Sequence, residues 1–291
     1  MKKSVITIGT FDGVHKGHQV ILNKVVEISK ENNLKSIVLS FESPVKQVSG
    51  LITTTKEKLD VLSSFIVDEI LLLPVNKQIL SLTADKFFED ILVKNLNAKH
   101  IVVGYDCTFG KDRQGNIKWL KQKIKGTDIK LTVIKPVKIN KKVVSSSKIR
   151  ELLQKNDIVS VNKMLDRTFG FIGTHVSGNR IGRRLGFPTI NLKVADDKLL
   201  PRGVFACSVT DKNFNTYYGV LNIGIRPTVK IKEHNLSVEV HLLNFSDVWK
   251  RKQVGVYINK FIRAEQKFKN IEMLKRTIRK DVLVARKFFQ I

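Results

Sequence analysis

The hydrophobic pattern of the chain changes character at about residue 160, and this change constrains the fold more than any other feature of the sequence. Before it, β-branched runs alternate with stretches whose apolar residues recur at helical spacing. This rhythm predicts an open parallel sheet covered by helices on both faces. After about residue 167, short β-like segments separated by Gly, Pro, Asn and Asp predict an antiparallel barrel or sandwich with a terminal amphipathic helix. We therefore predict an α/β protein with two domains, residues 1–160 and 161–291.

The predicted elements follow from these patterns. In the first half, the strands are placed at 4–8, 37–41, 69–73, 100–103 and 131–137, and the helices at 14–31, 54–65, 83–96 and 146–154. In the second half, strands are placed at 169–175, 203–209, 217–223, 237–243 and 253–262, and a final helix at 271–289.

The chain carries 52 Lys and Arg against 26 Asp and Glu, a formal net charge of +26. A charge of this size raises the question of nucleic-acid binding. It is not accompanied by zinc-finger spacing, an RNA-binding aromatic motif or a basic region with heptads. We therefore expect a solvated basic surface with affinity for phosphorylated ligands, and no nucleic-acid partner. An oligomeric state is not predicted.

The expected compartment is the cytoplasm. The two cysteines, Cys107 and Cys207, are too few for a disulfide framework, and neither lies in a metal-type CxxC pair. The apolar run at residues 4–8 is too short for a secretory signal, and no later stretch is long enough to cross a bilayer. We expect no membrane partner.

The first candidate site lies at residues 9–18, which read GTFDGVHKGH. This segment follows the first predicted strand and opens the first helix, where unpaired N–H groups and the helix dipole attract an anion. His15 and His18 lie three positions apart on one face of the helix start, and Gly17 lets a phosphate approach the backbone. Two imidazoles beside a polyphosphate can stabilise the charge of departing pyrophosphate. The alternative is a pair of helix-capping histidines without a ligand.

The second candidate site lies at residues 178–192, which read GNRIGRRLGFPTINL. A glycine-rich loop with arginines suits a nucleotide polyphosphate. Thr189 and Asn191 alternate along a strand, so their side chains point to the same side. A hydroxyl and an amide oxygen are hard ligands that suit Mg²⁺ shared with phosphate oxygens. The alternative is a basic β-turn without a ligand.

The HxGH segment resembles the signature of the nucleotidyltransferase superfamily, whose members activate ATP at the α-phosphorus. In that superfamily a second basic segment closes over the phosphates from the start of a later helix. Residues 144–150 are similar to this segment, with Ser146 and Ser147 at the helix start and Arg150 one turn in.

Residues 186–191, GFPTIN, resemble the GFPTAN motif of riboflavin kinases. Further similar segments follow in family order: GVFA at 203–206, GVLNIGIRPT at 219–228, VEVHLL at 238–243 and FIRAEQKF at 261–268. Residues 99–106 and 109–110 are similar to the family's other module. The chain therefore resembles the prokaryotic bifunctional riboflavin kinase/FMN adenylyltransferases along nearly its whole length. The resemblance implies a Rossmann-like nucleotidyltransferase domain followed by a β-barrel kinase domain with a terminal helix.

For the kinase domain, the resemblance implies that Glu239 takes the proton from the riboflavin 5′-hydroxyl. It implies that Thr189 and Asn191 hold Mg²⁺ on the co-substrate ATP. It also implies nucleotide contacts from Gly182 and Arg183, and flavin or nucleotide contacts from Asn222, Arg226 and Arg263.

For the adenylyltransferase domain, the resemblance implies that the FMN phosphate attacks ATP in line to give FAD and pyrophosphate. His15, His18 and Arg150 then stabilise phosphate charge. The remaining implied contacts are Gly9, Phe11, Gly17, Ser146 and Ser147 with the nucleotide, and Asp106 with the flavin.

The chain departs from the family pattern mainly in its first half. The family's Pro-His-Pro after the second strand is replaced by Ser43-Pro44-Val45, and an arginine is missing at Cys107-Thr108. These departures leave open a riboflavin kinase with a weakened adenylyltransferase domain. The sequence also leaves open a different HxGH enzyme, such as a cytidylyltransferase or an aminoacyl-tRNA synthetase fragment, and a nucleic-acid-binding protein on a degenerate nucleotidyltransferase fold.

Overall fold

The structure is a computed structural model that describes residues 2–44, 48–178, 181–225, 236–247 and 249–291, with Ile181 described by its backbone alone. The chain forms two compact units, Met1–Ser146 and Ser147–Ile291. The division between them falls at the start of the helix predicted at 146–154. The domain boundary at residue 160 stays a prediction.

The first unit contains nine strands and five helices among its described residues. The strands are β1 (Ser4–Ile8), β2 (Lys35–Phe41), β3 (Glu69–Leu73), β4 (Ala98–Gly104), β5 (Thr108–Phe109), β6 (Gly115–Asn116), β7 (Lys130–Ile134), β8 (Lys138–Ile139) and β9 (Lys142–Val143). The helices are α1 (Lys16–Asn32), α2 (Thr55–Leu62), α3 (Lys77–Leu80), α4 (Ala84–Lys86) and α5 (Ile117–Lys123), with a π-helical segment at Phe87–Asn95 and a 3-10 turn at Lys111–Arg113.

Five parallel strands form the sheet of this unit, in the order β3-β2-β1-β4-β7. Alternate residues of β1 face opposite sides of the sheet. Ile6 packs with Phe87 and Leu92 of the π-helical segment, and Val5 packs with Ile21 of α1 on the other face. Both faces of the sheet are therefore covered, which is why its central strands consist mostly of buried apolar residues.

Helix α6 (Ser146–Gln154) begins at the last residue of the first unit. In the second unit it is followed by α7 (Ile158–Leu165) and by six strands that close into an antiparallel barrel. The strands are β10 (Gly170–Val176), β11 (Ile190–Lys193), β12 (Gly203–Thr210), β13 (Thr216–Ile225), β14 (Leu236–Leu242) and β15 (Gln253–Arg263), and the short helix α8 (Ile181–Arg184) precedes β11. Around the barrel the order is β10-β11-β14-β13-β12-β15.

The terminal helix α9 (Ile271–Phe289) packs on the outside of the barrel. Ala285 is buried there against Val204 and Val220. A buried ion pair adds to this apolar contact: the Asp281 carboxylate accepts hydrogen bonds from Arg263 Nε (3.0 Å) and Nη2 (2.8 Å). The two side chains are 5% and 23% exposed, so the charges are largely removed from water and depend on each other.

The predicted fold class is confirmed in both halves, and the barrel, rather than a sandwich, is the observed form. The structure differs in detail from the predicted elements. The helix predicted at 83–96 is short α4 followed by the π-helical segment, and the strand predicted at 131–137 ends at Ile134. Neither α5 nor α7 is predicted: α5 buries only Leu120, and α7 lies where the sequence analysis places the domain boundary.

The Asp281→Ala variant tests the ion pair under α9. We expect its free energy of unfolding to fall by about 3 kcal/mol, because the Arg263 charge is left partly buried without its partner. Urea denaturation followed by circular dichroism measures the change. The matched control is Glu272→Ala on the same helix, whose exposed pair with Lys275 is worth at most about 1 kcal/mol. Equal urea midpoints for the two variants would contradict the prediction.

Candidate active sites

The first candidate site is built on the turn that leaves β1 and enters α1. Gly9 ends the strand, and its N–H donates to the carbonyl of Leu39 (3.1 Å). Phe11 and Val14 then adopt φ values of +50° and +38°, in the left-handed region that bulky side chains rarely occupy. A backbone of this kind persists only where its surroundings hold it in place.

The buried carboxylate of Asp12 holds this turn. Asp12 accepts hydrogen bonds from the N–H groups of Thr53 (3.0 Å) and Ile52 (3.3 Å) and from the Thr53 hydroxyl (3.3 Å). The Thr53 hydroxyl in turn accepts from the N–H of Gly13 (2.9 Å). The sequence analysis did not identify Asp12 or Thr53, because two short polar residues in separate loops show no pattern until the fold brings the loops together.

The two histidines of the HxGH segment lie side by side at the start of α1. His15 is the N-cap, and its Nδ1 accepts from the N–H of His18 (3.3 Å), which places the ring proton of His15 on Nε2. The rings stack at 3.6 Å with an interplanar angle of 15°, and Phe11 meets His18 edge-on at 5.1 Å. A Cβ at Gly17 would lie 3.1 Å from the His15 ring, so the glycine leaves room for this stack.

Phe11, which the resemblance assigns to the nucleotide, has its side chain almost wholly inside the core of the first unit. It is 1% exposed and packs with Val14, Leu22 and Leu62. Its edge-on contact therefore supports the His18 ring from the side of the core. A nucleotide contact from Phe11 stays a prediction.

The first residue of α6, Ser146, contacts the same turn. Ser146 Oγ donates a hydrogen bond to the carbonyl of Asp12 (2.8 Å). Ser147 and Arg150 follow on α6, within the second unit. Asp106 is exposed just beyond the end of β4, where its Oδ1 would lie 3.3 Å from a Cβ at Gly104. It therefore lies beyond the carboxyl end of a parallel strand, where open α/β sheets bind ligands.

The positions where the chain departs from the family pattern are only partly described. Ser43 and Pro44 lie outside regular structure, and Val45 lies outside the described residues. Burial raises the pKa of the Cys107 thiol to about 12, with a smaller contribution from Asp106. Cys107 is therefore a protonated thiol at neutral pH and is not a nucleophile.

The second candidate site lies on the outer face of the barrel. Leu221 and Val240 alternate with Asn222 and Glu239 along β13 and β14, and the two apolar residues are fully buried. Asn222 and Glu239 are register partners, so both lie on the face opposite to Leu221 and Val240. Helix α9 covers part of the face that carries Asn222 and Glu239. Glu239 therefore belongs to the outside of the barrel.

Hydrogen bonds surround the Glu239 carboxylate. Thr189 Oγ1 donates to Oε2 (3.2 Å), and Ser237 Oγ donates to Oε1 (2.9 Å). Asn191 is the register partner of Glu239 on β11 and is 8% exposed. The structure thereby brings Glu239 next to Thr189 and Asn191, which the sequence analysis pairs with each other, and it adds Ser237. β11 begins at Ile190, so Thr189 lies just before the strand and not within it.

Two glycines bring the backbone close to these side chains. A Cβ at Gly178 would lie 2.2 Å from Asn191 Nδ2, and one at Gly182 would lie 2.4 Å from the carbonyl of Phe187 and 3.2 Å from Thr189 Oγ1. Neither position can carry a side chain without displacing the site. Gly178, Gly182, Thr189 and Asn191 together form a cradle. Gly182 and the exposed Arg183 lie in α8, which precedes Thr189 in the chain.

His241 is a further residue of this site that the sequence analysis did not single out. It shares the outer face of β14 with Glu239. Its Nδ1 donates to the carbonyl of Pro188 (2.8 Å), and its ring meets Phe187 edge-on at 5.6 Å. Burial lowers the pKa of His241, the bond to Pro188 partly opposes this, and Arg286 lowers it further. A neutral imidazole thus fixes the residue that precedes Thr189.

The implied flavin contacts have different surroundings. Asn222 is half-buried on β13. Gly224 lies two positions further along the same strand, and a Cβ there would lie 1.8 Å from the Glu265 carboxylate. Arg263 is engaged by Asp281 and by the carbonyl of Ala264 (3.1 Å). Arg226 lies outside the described residues.

Comparison with known proteins agrees with this geometry. Residues 1–148 match the FAD synthetase family, and residues 165–289 match the riboflavin kinase family. The chain belongs to the bifunctional riboflavin kinase/FMN adenylyltransferases. It is 36% identical to the enzyme of that name from Buchnera aphidicola subsp. Schizaphis graminum, covering 99% of this chain and 95% of the relative. It is 33% identical to the Escherichia coli K12 enzyme, covering 98% and 92%. Both activities of the family have their domain in this chain, and both domains use ATP as a co-substrate.

A solved structure also resembles the whole chain. It is a Streptococcus pneumoniae protein described as a macrolide-efflux protein, 29% identical, with a TM-score of 0.87 over 98% of this chain and 94% of that one. Among the described residues of the present chain, no helix is both long enough and apolar enough to cross a membrane. The likeness therefore confirms the fold, while the family matches define the two domains.

Replacement of His241 tests its link to the kinase site. In His241→Leu, the Pro188 carbonyl loses its donor, and we expect riboflavin phosphorylation to fall by about 10- to 100-fold, as for residues that orient a ligand-holding side chain. Chromatography of the flavin products measures the rate. His241→Asn is the control, because its amide N–H can replace Nδ1 and should restore most of the activity. Equal losses in both variants would show that the hydrogen bond is not what matters.

Proposed function

We propose that the chain forms FMN at the Glu239 face of the barrel and FAD at the histidine turn of the parallel-sheet domain. The observation that supports the kinase site most directly is the hydrogen-bonded group of Glu239, Thr189 and Ser237 beside the buried amide of Asn191. This group places a carboxylate base next to the oxygen ligands that a nucleotide-bound cation requires.

In the kinase step, the riboflavin 5′-hydroxyl oxygen forms a bond to the γ-phosphorus of ATP, its proton passes to the Glu239 carboxylate, and ADP leaves. The hydrogen bonds from Thr189 and Ser237 fix the orientation of that carboxylate. Phosphoryl transfer depends mainly on positioning and charge neutralisation, so a well-oriented carboxylate is sufficient.

The residues of this face fit Mg²⁺. Thr189 uses its hydroxyl proton toward Glu239, which leaves its oxygen lone pairs available, and the amide oxygen of Asn191 lies in the same cradle. The described residues contain no group of three or more His, Cys, Asp or Glu that could hold a metal ion by themselves. A cation here is thus completed by phosphate oxygens and water, as is usual for Mg²⁺ bound with a nucleotide. Bound Mg²⁺ would neutralise phosphate charge.

Polyphosphate and flavin contacts complete the kinase proposal. Gly182 and Arg183 bind the phosphates of ATP from α8, because a helix start and a guanidinium both favour anions. Asn222 and Arg226 contact the flavin or the nucleotide. Arg263 is a third candidate for such a contact, and its ion pair with Asp281 fixes its guanidinium in place.

In the adenylyltransferase step, a phosphate oxygen of FMN forms a bond to the α-phosphorus of ATP, and pyrophosphate leaves. His15 Nε2–H and the His18 ring, at the N-terminus of α1, donate to the charge that develops on the phosphates. Ser146, Ser147 and Arg150 are further candidates for phosphate contacts, as the family resemblance implies. Gly9, Phe11 and Gly17 shape the nucleotide contact, and Asp106 contacts the flavin. A cytoplasmic location fits both activities.

Incubation of the purified protein with riboflavin, ATP and Mg²⁺ tests both sites in one assay, since chromatography separates riboflavin, FMN and FAD. We expect FMN and then FAD. Glu239→Ala should abolish FMN formation but still convert added FMN to FAD. His18→Ala should accumulate FMN without FAD, because it lacks a donor to the departing pyrophosphate.

Each variant is the control for the other, because each leaves one domain unchanged. Formation of FMN alone by the unmodified protein would mean that the departures at residues 43–45 and 107–108 have inactivated the first domain. If neither product forms, the flavin assignment is wrong, and salt-dependent nucleic-acid binding becomes the next hypothesis to measure.

A further inference from the structure

Lys58 is a buried lysine that the proposed chemistry does not use. It is 3% exposed, whereas lysine side chains almost always keep their ammonium group in water. Its position is set by the start of α2, where Thr54 and Glu57 form a reciprocal capping box. The box fixes the first helical turn, and Lys58 follows on the side that faces the sheet.

The ammonium group of Lys58 connects the carboxyl ends of two neighbouring strands. Its Nζ donates to the carbonyl of Phe41, the last residue of β2, and lies 3.4 Å from the carbonyl of Thr10, in the turn after β1. The carboxylates of Asp12 and Glu42 are the charged groups that act on it. Lys58 thus contacts the Gly9–Gly13 turn at the Thr10 carbonyl, while Thr53 contacts it at the Asp12 carboxylate.

The charge state of Lys58 changes within the working range of an enzyme. Burial lowers the pKa of Lys58 to about 8, and attraction from Asp12 and Glu42 opposes part of this effect. Below about pH 8 the group is an ammonium that donates to two carbonyls and is attracted by two carboxylates. Above that pH it is a neutral amine, which still donates a hydrogen bond but no longer attracts the carboxylates.

We propose that Lys58 is a positioning residue of the adenylyltransferase site, whose positive charge keeps the Gly9–Gly13 turn against the end of β2 and so sets the position of the histidine pair. The proposal rests on the role proposed above for His15 and His18. It follows from the connectivity, because the turn held by Lys58 leads directly into the His15 N-cap.

The dependence of stability on pH separates this proposal from a general effect on folding. The lysine keeps its proton to about pH 10 in the unfolded chain and loses it near pH 8 in the folded one. Between these values the unfolded state binds more protons, so the contribution of Lys58 to the free energy of unfolding rises with pH. A loss of adenylylation above pH 8 therefore cannot come from unfolding caused by Lys58.

The test measures both activities of the full chain between pH 6.5 and 9.5, a range of about 1.5 units either side of this transition. For the unmodified protein we expect kcat/KM for FMN adenylylation to fall above about pH 8, while riboflavin phosphorylation shows no such limb. Lys58→Gln keeps a donor but carries no charge. Its adenylylation at pH 7 should be about 10- to 100-fold slower and should lack the basic limb, because a small displacement of reacting groups has an effect of that size.

Lys56→Gln is the matched control, since Lys56 lies on the same helical turn with its side chain exposed. It should keep both rates and the basic limb. A circular dichroism spectrum and a thermal unfolding midpoint equal to those of Lys56→Gln show that the domain carrying Lys58 is folded in Lys58→Gln. A basic limb that persists in Lys58→Gln, or that is equally present in riboflavin phosphorylation, would overturn the proposal.

A second measurement does not depend on turnover. The imidazole NMR signals of His15 and His18, followed from pH 7 to 9, should shift with a midpoint near pH 8 in the unmodified protein and not in Lys58→Gln. If the signals respond but no FAD forms, the proposed function of the domain fails while the positioning role stands. If FAD forms but the signals do not respond, Lys58 does not position the histidines.

Discussion

The carboxylate of Asp12 is the constraint on which the first site depends. A turn with non-glycine residues at positive φ cannot persist by itself, and Asp12 stabilises it by accepting three hydrogen bonds from the loop at Ile52 and Thr53. The carbonyl of the same residue accepts from Ser146, and Lys58 donates to the carbonyl of Thr10 in the same turn. The turn that leads to the stacked histidines is therefore held by contacts from two separate parts of the chain, residues 52–58 and Ser146.

The second site depends on a different constraint, the alternation of side chains between the two faces of the strands in a closed barrel. Buried apolar residues such as Leu221 and Val240 fill one face of β13 and β14, which forces Asn222 and Glu239 to the other face. There the polar residues meet the segment before β11, which His241 holds at Pro188. Helix α9 covers part of the same outer face, and the Asp281–Arg263 ion pair attaches it to the barrel.

The elements that could be predicted are those with a local pattern. β1, β3, α6 and α9 agree with their predicted bounds, because each combines a clear apolar period with recognisable ends. The π-helical segment, α5 and α7 are not predicted. The first differs from an α-helix only in its hydrogen bonds, the second has one buried residue, and the third lies across the predicted domain boundary at residue 160.

The sequence by itself determined the order of the domains, the HxGH and GFPTIN segments and the presence of Glu239 at an alternating position, since all of these are written in consecutive residues. Only the tertiary structure decided that Asp12, Thr53 and Lys58 meet at one turn, that Ser237 and Thr189 share Glu239, and that Arg263 is engaged by Asp281. Except for Ser237 and Glu239, which are neighbours on β14, these contacts join residues from different elements of the fold. Their partners are chosen by burial, because a polar group removed from water must find whichever complementary group the fold brings within reach.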